Sequence, residues 1–235
     1  LVAELEYKLY RSVFYSKGEI YITLEEFVSQ LNKIKTILIE RNQSLYLDEL
    51  EALLIKVNLF GFHFASLDIR QNSKIHDAVF KDVVQFYLNS NTTVFPANYF
   101  ELSEAEKFEV LSNIKGDLDS NVFDNEITRL TLESIQAIKQ IQENNGEAGA
   151  NRYIISNNES ALNVMETFAL FKLNNWDTLS VDIIPLFESV DDLQNAHAIM
   201  EKLYANPAYA AHLANRNHKQ TIMLGFSDGT KMVAI

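Results

Sequence analysis

From Thr23 onward, apolar residues recur at Leu24, Phe27, Val28, Leu31, Ile34 and Leu38, the spacing of a helix that presents one apolar face. The Thr-Leu-Glu-Glu run that opens this stretch has the form of a capping box. In that arrangement the Thr23 hydroxyl accepts from the amide of Glu26 while the Glu26 carboxylate reaches back. After a polar link around Asn42 and Ser44, a second stripe of Leu47, Leu50, Leu53, Leu54 and Val57 predicts a return helix, and the pair an α-hairpin. The same periodicity predicts helices over 75–88, over 104–114 behind a second capping box at Ser103 and Glu106, and over 126–142.

Four short, partly β-branched apolar runs break the helical period and predict strands: 60–69, 153–155, 181–187 and 221–226. Helical stretches at 161–173, 193–204 and 208–214 separate the last three, which is the βα rhythm of a parallel sheet covered on both faces. The expected fold is therefore α/β and predominantly helical: a partial TIM-type (β/α)8 barrel with about half the strands and extra helices. In domain terms, 1–58 forms a helical segment. Residues 59–235 form the partial barrel, with a helical insertion at about 77–150 that ends in a polar link at 144–151. A half barrel leaves two strand edges open, so further chain is expected to cover them. The sequence also opens without Met, in the middle of an apolar and acidic pattern, which reads as a segment of something longer.

Composition narrows the function. Gly at 7 and Pro at 3 of 235 residues are scarce, which favours helix over turn-rich β folds. The net charge of −12 would repel a phosphate backbone, so no nucleic-acid partner is expected. Zero cysteines exclude disulfides, thiolate zinc sites and a thiol nucleophile, and make the cytoplasm the default location. No apolar run approaches the ~20 residues of a membrane span, and the start lacks the basic residues of a signal peptide, so no membrane association is expected.

In a parallel barrel, chemistry gathers where the strands end. The first predicted strand ends in Leu67-Asp68-Ile69-Arg70-Gln71, the third in Leu186-Phe187-Glu188, and the fourth in Gly225-Phe226-Ser227-Asp228 with Lys231 just beyond. Glu188 and Asp228 suit Mg2+ or Mn2+, hard ions that take one or two carboxylates and leave positions for water and substrate phosphate. Arg70 offers a planar fork for a phosphate or carboxylate, and Lys231 a mobile positive charge. Together these residues describe a site for a phosphorylated or polyanionic small molecule bridged by a divalent cation. A plainer reading makes Glu188 a helix cap and Asp228-Gly229-Thr230 a turn, although Ser189 and Asp192 can cap the following helix without Glu188.

Other patterns carry less. Asp117-Leu-Asp119-Ser-Asn121 begins like a calcium loop, but Val122 stands where Gly is required and Thr128 where the bidentate Glu belongs, leaving a solvated loop. His197 and Glu201, four apart on a helix, read as a surface pair. His63 reads as a packed group inside a strand, and His76, His212 and His218 as surface residues.

The block Gly61-Phe-His-Phe-Ala-Ser-Leu-Asp-Ile-Arg-Gln-Asn-Ser-Lys-Ile-His76 has the form G-F-H-x-x-x-L-D-I-R-Q-x-S-x-x-H. Ile184-Pro-Leu-Phe-Glu-Ser-Val-Asp-Asp-Leu-Gln-Asn-Ala196 contains P-L-F-E-x-x-x-D-L-x-N-A, and Met223-Leu-Gly-Phe-Ser-Asp-Gly-Thr-Lys231 resembles M-x-G-Y-S-D-S-x-K, with Phe226 and Gly229 in place of its Y and second S. In this order the three blocks resemble the phosphoenolpyruvate carboxylase family. The resemblance implies a largely helical cytoplasmic lyase built around an eight-strand barrel and commonly tetrameric. Such an enzyme carboxylates phosphoenolpyruvate with bicarbonate to oxaloacetate and phosphate using Mg2+ or Mn2+, an anaplerotic supply to the tricarboxylic acid cycle. Carried over by motif, Glu188 and Asp228 are its metal ligands, Arg70 holds the substrate phosphate, and Lys231 lies near the reacting anions.

The family's T-A-H-P-T segment, which bears the general acid/base histidine, and its G-R-G-G loop do not occur in these 235 residues. The isolated chain is therefore expected to be inactive. Two departures stand out: Asn157-Asn158 after Tyr153-Ile-Ile-Ser156, in place of small residues, and Met232-Val-Ala-Ile235 after Lys231. The alternative reading is a non-catalytic helical interaction module that kept an inherited strand pattern.

Overall fold

The computed structural model describes residues 1–15, 21–90 and 92–225. Contacts divide the chain into two compact units: residues 1–66 with 140–149, and residues 67–139 with 150 onward.

The first unit contains α1 (Val2–Phe14), α2 (Leu24–Arg41) and α3 (Leu47–Phe60). The predicted stripes of α2 and α3 meet, and Phe27, Leu31, Leu50, Leu54 and Val57 bury one another together with Leu5 and Ile22. Thr23 caps α2, its hydroxyl accepting from the Glu26 amide at 3.1 Å. The reciprocal half of the expected capping box is absent, because the Glu26 carboxylate pairs with Lys8 of α1 instead. At the end of α3, Gly61 takes φ +53°, and a Cβ there would lie 2.8 Å from the His63 ring. A left-handed glycine of this kind stops a helix, and residues 61–64 turn, with Phe64 also left-handed at φ 61°. The predicted strand over 60–69 therefore does not form as drawn: Phe60 still belongs to α3, and His63 sits half-buried in the turn.

The second unit runs β1 (Asp68–Asn72), α4 (Ser73–Asn89), α5 (Glu104–Asn113), α6 (Glu126–Asn145), β2 (Arg152–Ser156), α7 (Ala161–Leu173), β3 (Asp182–Phe187), α8 (Val190–Ala205), α9 (Pro207–Asn215) and β4 (Met223–Leu224), the last turns of α6 lying in the first unit. The strands lie in the order β1-β2-β3-β4, and every pairing is parallel. Ser103 and Glu106 form the capping box of α5 in both directions.

Pleating sends alternate residues to opposite faces. Tyr153, Ile155, Ile183 and Phe187 join the main core with Val79, Phe80, Val83, Leu170 and Phe171 of α4 and α7. Ile154, Ile184 and Leu186 form a separate small cluster with Met223 on the other face. Burial on both faces explains the unbroken apolar runs of β2 and β3. α7 is buried nearly all round. It carries Glu166, which is 6% exposed; burial first, and then the Asp77 carboxylate, pushes its pKa up to about 8 against the pull of Lys107 and Lys81.

His76 and His212, read from sequence as surface residues, are 0% and 5% exposed. Burial is the main cause that pushes both down to about 4. The loop at Asp117 is docked as well as solvated: the Leu118 amide donates to the Leu173 carbonyl at 2.8 Å, while Asp117 and Asp119 stay exposed. His197 and Glu201 form the expected exposed pair at 3.4 Å. Among the described residues no helix is long and apolar enough to cross a membrane.

Candidate active site

Because β1 begins at Asp68, Arg70 lies in the middle of the strand, where the sequence places it just past the end. It is in register with Ile154, which is in register with Ile184. Its side chain therefore shares the face of Ile154, Ile184 and Leu186, away from the helices that cover the main core. The guanidinium nonetheless reaches the carboxyl end, with Nη2 donating to Met223 Sδ at 3.2 Å. Met223 pairs with Leu186, two residues beyond Ile184 along β3. A thioether is a weak acceptor, so the exposed fork keeps its capacity for an anion.

Glu188 follows β3 directly and is half-buried. It is not needed as a cap: Ser189 Oγ accepts from the Asp192 amide at 3.0 Å, and the Asp192 carboxylate accepts from the Ser189 amide at 2.9 Å. What holds Glu188 comes from the neighbouring strands. Its Oε2 accepts from the backbone N–H of Asn157, just past β2, at 2.9 Å. On the β4 side, Gly225 presses close enough that a Cβ there would lie 3.0 Å from both Cα and Cγ of Glu188. The Gly225 amide donates to the Phe187 carbonyl at 2.9 Å, which keeps that approach fixed.

Asn157 in turn is anchored from β1. Its carbonyl accepts from the hydroxyl of Ser73, the first residue of α4. The sequence marks Asn157 only as a departure from the family pattern and does not single out Ser73. The available signal was an Asn directly after a strand, a residue type that tolerates the left-handed backbone, and Asn157 adopts φ 53°.

Arg70 and Glu188 thus share one face of the sheet, and no hydrogen bond or ion pair joins them. Asp228 and Lys231 lie outside the described residues. Among the described residues no cation pairs with Glu188, and no group of three or more His, Asp or Glu side chains gathers in a metal-binding cluster. One oxygen of Glu188 is pinned by an amide and the carboxylate keeps further lone pairs, which fits an oxygen donor to a hard dication. At the opposite end of the strands charges are matched: Arg152 meets Asp68 at 2.8 Å, and Arg216 meets Asp182 at 2.6 Å.

A family model for phosphoenolpyruvate carboxylase matches residues 3–233. The chain is 33% identical over 227 residues to a phosphoenolpyruvate carboxylase of Synechococcus sp., covering 92% of this chain and 21% of that protein. It is 33% identical over 225 residues to the one from Nitrosomonas eutropha, covering 91% of this chain and 24% of the relative. It is 33% identical over 230 residues to the one from Corynebacterium diphtheriae, covering 92% and 24%. The chain thus spans between a fifth and a quarter of the length of these curated relatives.

Proposed function

This chain belongs to the phosphoenolpyruvate carboxylase family, and on that premise we propose that it supplies part of the active site of a longer cytoplasmic, homo-oligomeric enzyme that carboxylates phosphoenolpyruvate with bicarbonate to oxaloacetate and phosphate. The observation that carries the proposal is Glu188. A half-buried carboxylate is held by a neighbouring strand's amide, with no described cation to neutralise it, on the sheet face from which Arg70 extends.

In this reading Arg70 holds the substrate phosphate through two parallel N–H bonds and orients it. Glu188 and Asp228 hold Mg2+ or Mn2+, which when bound acts as a Lewis acid and template between the two reacting anions. Lys231 offsets phosphate charge. The face bearing Arg70 is the inside of an eight-strand barrel, of which β1 to β4 are about half. Two features support this: the all-parallel order with a helix after each of the first three strands, and the contact of Arg70 on β1 with Met223 on β4 across the intervening pair. On a flat sheet three spacings of ~4.8 Å would separate those strands, so the contact is what a curved inner face allows. The chain by itself is proposed to be inactive, since it holds neither the family's histidine segment nor its Gly-rich loop.

The test is Glu188→Ala and Asp228→Ala in the full-length enzyme carrying this segment. Both are expected to abolish Mn2+-dependent turnover with the melting temperature unmoved. Retained turnover in either variant overturns that residue's role.

A further inference from the structure

Resting on the reading of Glu188 as a metal ligand, we propose that Ser73 and Asn157 are positioning residues for its carboxylate, acting through a hydrogen-bond relay that links the ends of β1, β2 and β3. Ser73 is 2% exposed, and its hydroxyl donates to the carbonyl of Asn157. The backbone N–H of the same Asn157 donates to Glu188 Oε2 at 2.9 Å. The carbonyl and the amide flank one Cα, so anchoring the first in a left-handed conformation with φ 53° sets the direction of the second.

The Ser73 hydroxyl is free for this work because the preceding residue already caps α4, Asn72 Oδ1 accepting from the Lys74 amide at 2.9 Å. The Asn157 side chain donates to Glu159 Oε1 at 3.0 Å and, more weakly, to Ser73 Oγ at 3.5 Å, which leaves the backbone amide to face Glu188. With Oε2 held, the remaining lone pairs of Glu188 keep a constant direction. Groups that hydrogen-bond a metal ligand in this way typically change metal affinity about 10–100-fold when removed.

The experiment is an Mn2+ titration of the full-length enzyme carrying this segment, followed by the electron paramagnetic resonance signal of the free ion, with melting curves on the same samples. Ser73→Ala is expected to raise the Mn2+ dissociation constant about tenfold with an unchanged melting temperature, and Ser73→Thr, which keeps the hydroxyl, to restore it. If Ser73→Ala does not fold, Asn157 carries the test: Asn157→Gly keeps the left-handed backbone and should bind as wild type, whereas Asn157→Val disfavours that backbone and should lose affinity. Unchanged affinity in Ser73→Ala or in Asn157→Val, while Glu188→Ala loses Mn2+, overturns the positioning role and leaves the metal site standing. Unchanged affinity in Glu188→Ala overturns both.

Discussion

At the amino ends of the strands Asp68 meets Arg152 at 2.8 Å and Asp182 meets Arg216 at 2.6 Å. At the carboxyl ends, among the described residues, Arg70 touches a thioether and Glu188 a backbone amide, and neither has an opposite charge beside it. Among the described residues the amino rim is thus paired, whereas the carboxyl rim holds Arg70 and Glu188 without charged partners beside one exposed Lys74–Glu159 contact at 3.9 Å. Pairing satisfies a group within the fold; a carboxylate held in place yet left without a counter-ion is poised to take one from solution. On the proposed function the amino rim serves cohesion while Arg70 and Glu188 serve chemistry, and substitutions should separate along that line. Beyond Glu188→Ala, the largest expected effect, four substitutions test the division.

Arg216→Ala strikes the paired rim where it is best shielded, since the two side chains are only 12% and 28% exposed. Urea denaturation should show a loss of about 2 kcal/mol, below the ~3–5 kcal/mol of a fully buried pair because this one is partly solvated. Mn2+ affinity should not move; if it does, the two rims are coupled. Arg70→Lys is expected to do the reverse. On the proposed function a point charge cannot reproduce the fork, so in the full-length enzyme carrying this segment the KM for phosphoenolpyruvate should rise about tenfold, the worth of one charge-assisted bond. A change in melting temperature alone, with KM intact, would assign Arg70 to the scaffold.

Glu166 tests a third environment, the helical layer, where a carboxyl is buried among the like charge of Asp77 and the nearby Lys81 and Lys107. Its pKa of about 8 lies above the ordinary 4.5, so folding favours the protonated form, and stability falls as pH rises between those values. Glu166→Gln imitates the protonated form. It should melt with wild type near pH 4.5 and increasingly above it as pH approaches 8. Parallel melting curves across that range would place an ionised Glu166 in the native state. The smallest effect is expected from Asp68→Asn, where both partners of the pair are more than two-fifths exposed. Such pairs contribute below about 1 kcal/mol, so its denaturation midpoint should barely shift.

Much of this arrangement was legible from residue order. The period of α7 predicted Ala161–Leu173 with both bounds as found. Ser103 with Glu106 announced a capping box that forms completely. Legibility failed where a distant group intervened. Thr23 and Glu26 carry the same signature, but Lys8 arrives from another helix and takes the carboxylate. β1 starts at Asp68, later than its apolar run suggests, because Phe60, Phe62 and Phe64 look like a strand until Gly61 turns left-handed and ends the helix. His76 and His212 occupy positions whose depth depends on what packs above them, which no local pattern encodes.

Taken by itself, the sequence determined the helices from α2 onward, the parallel βα rhythm and the placement of Glu188 directly after an apolar strand, since these follow from periodicity and nearest-neighbour chemistry. Only the tertiary structure decided which groups hold that carboxylate. The Asn157 amide comes from 31 residues away, and the Ser73 hydroxyl behind it from a further 84. Strand register selects them, and register is set by burying both faces of the sheet together, a condition that no single segment can meet alone.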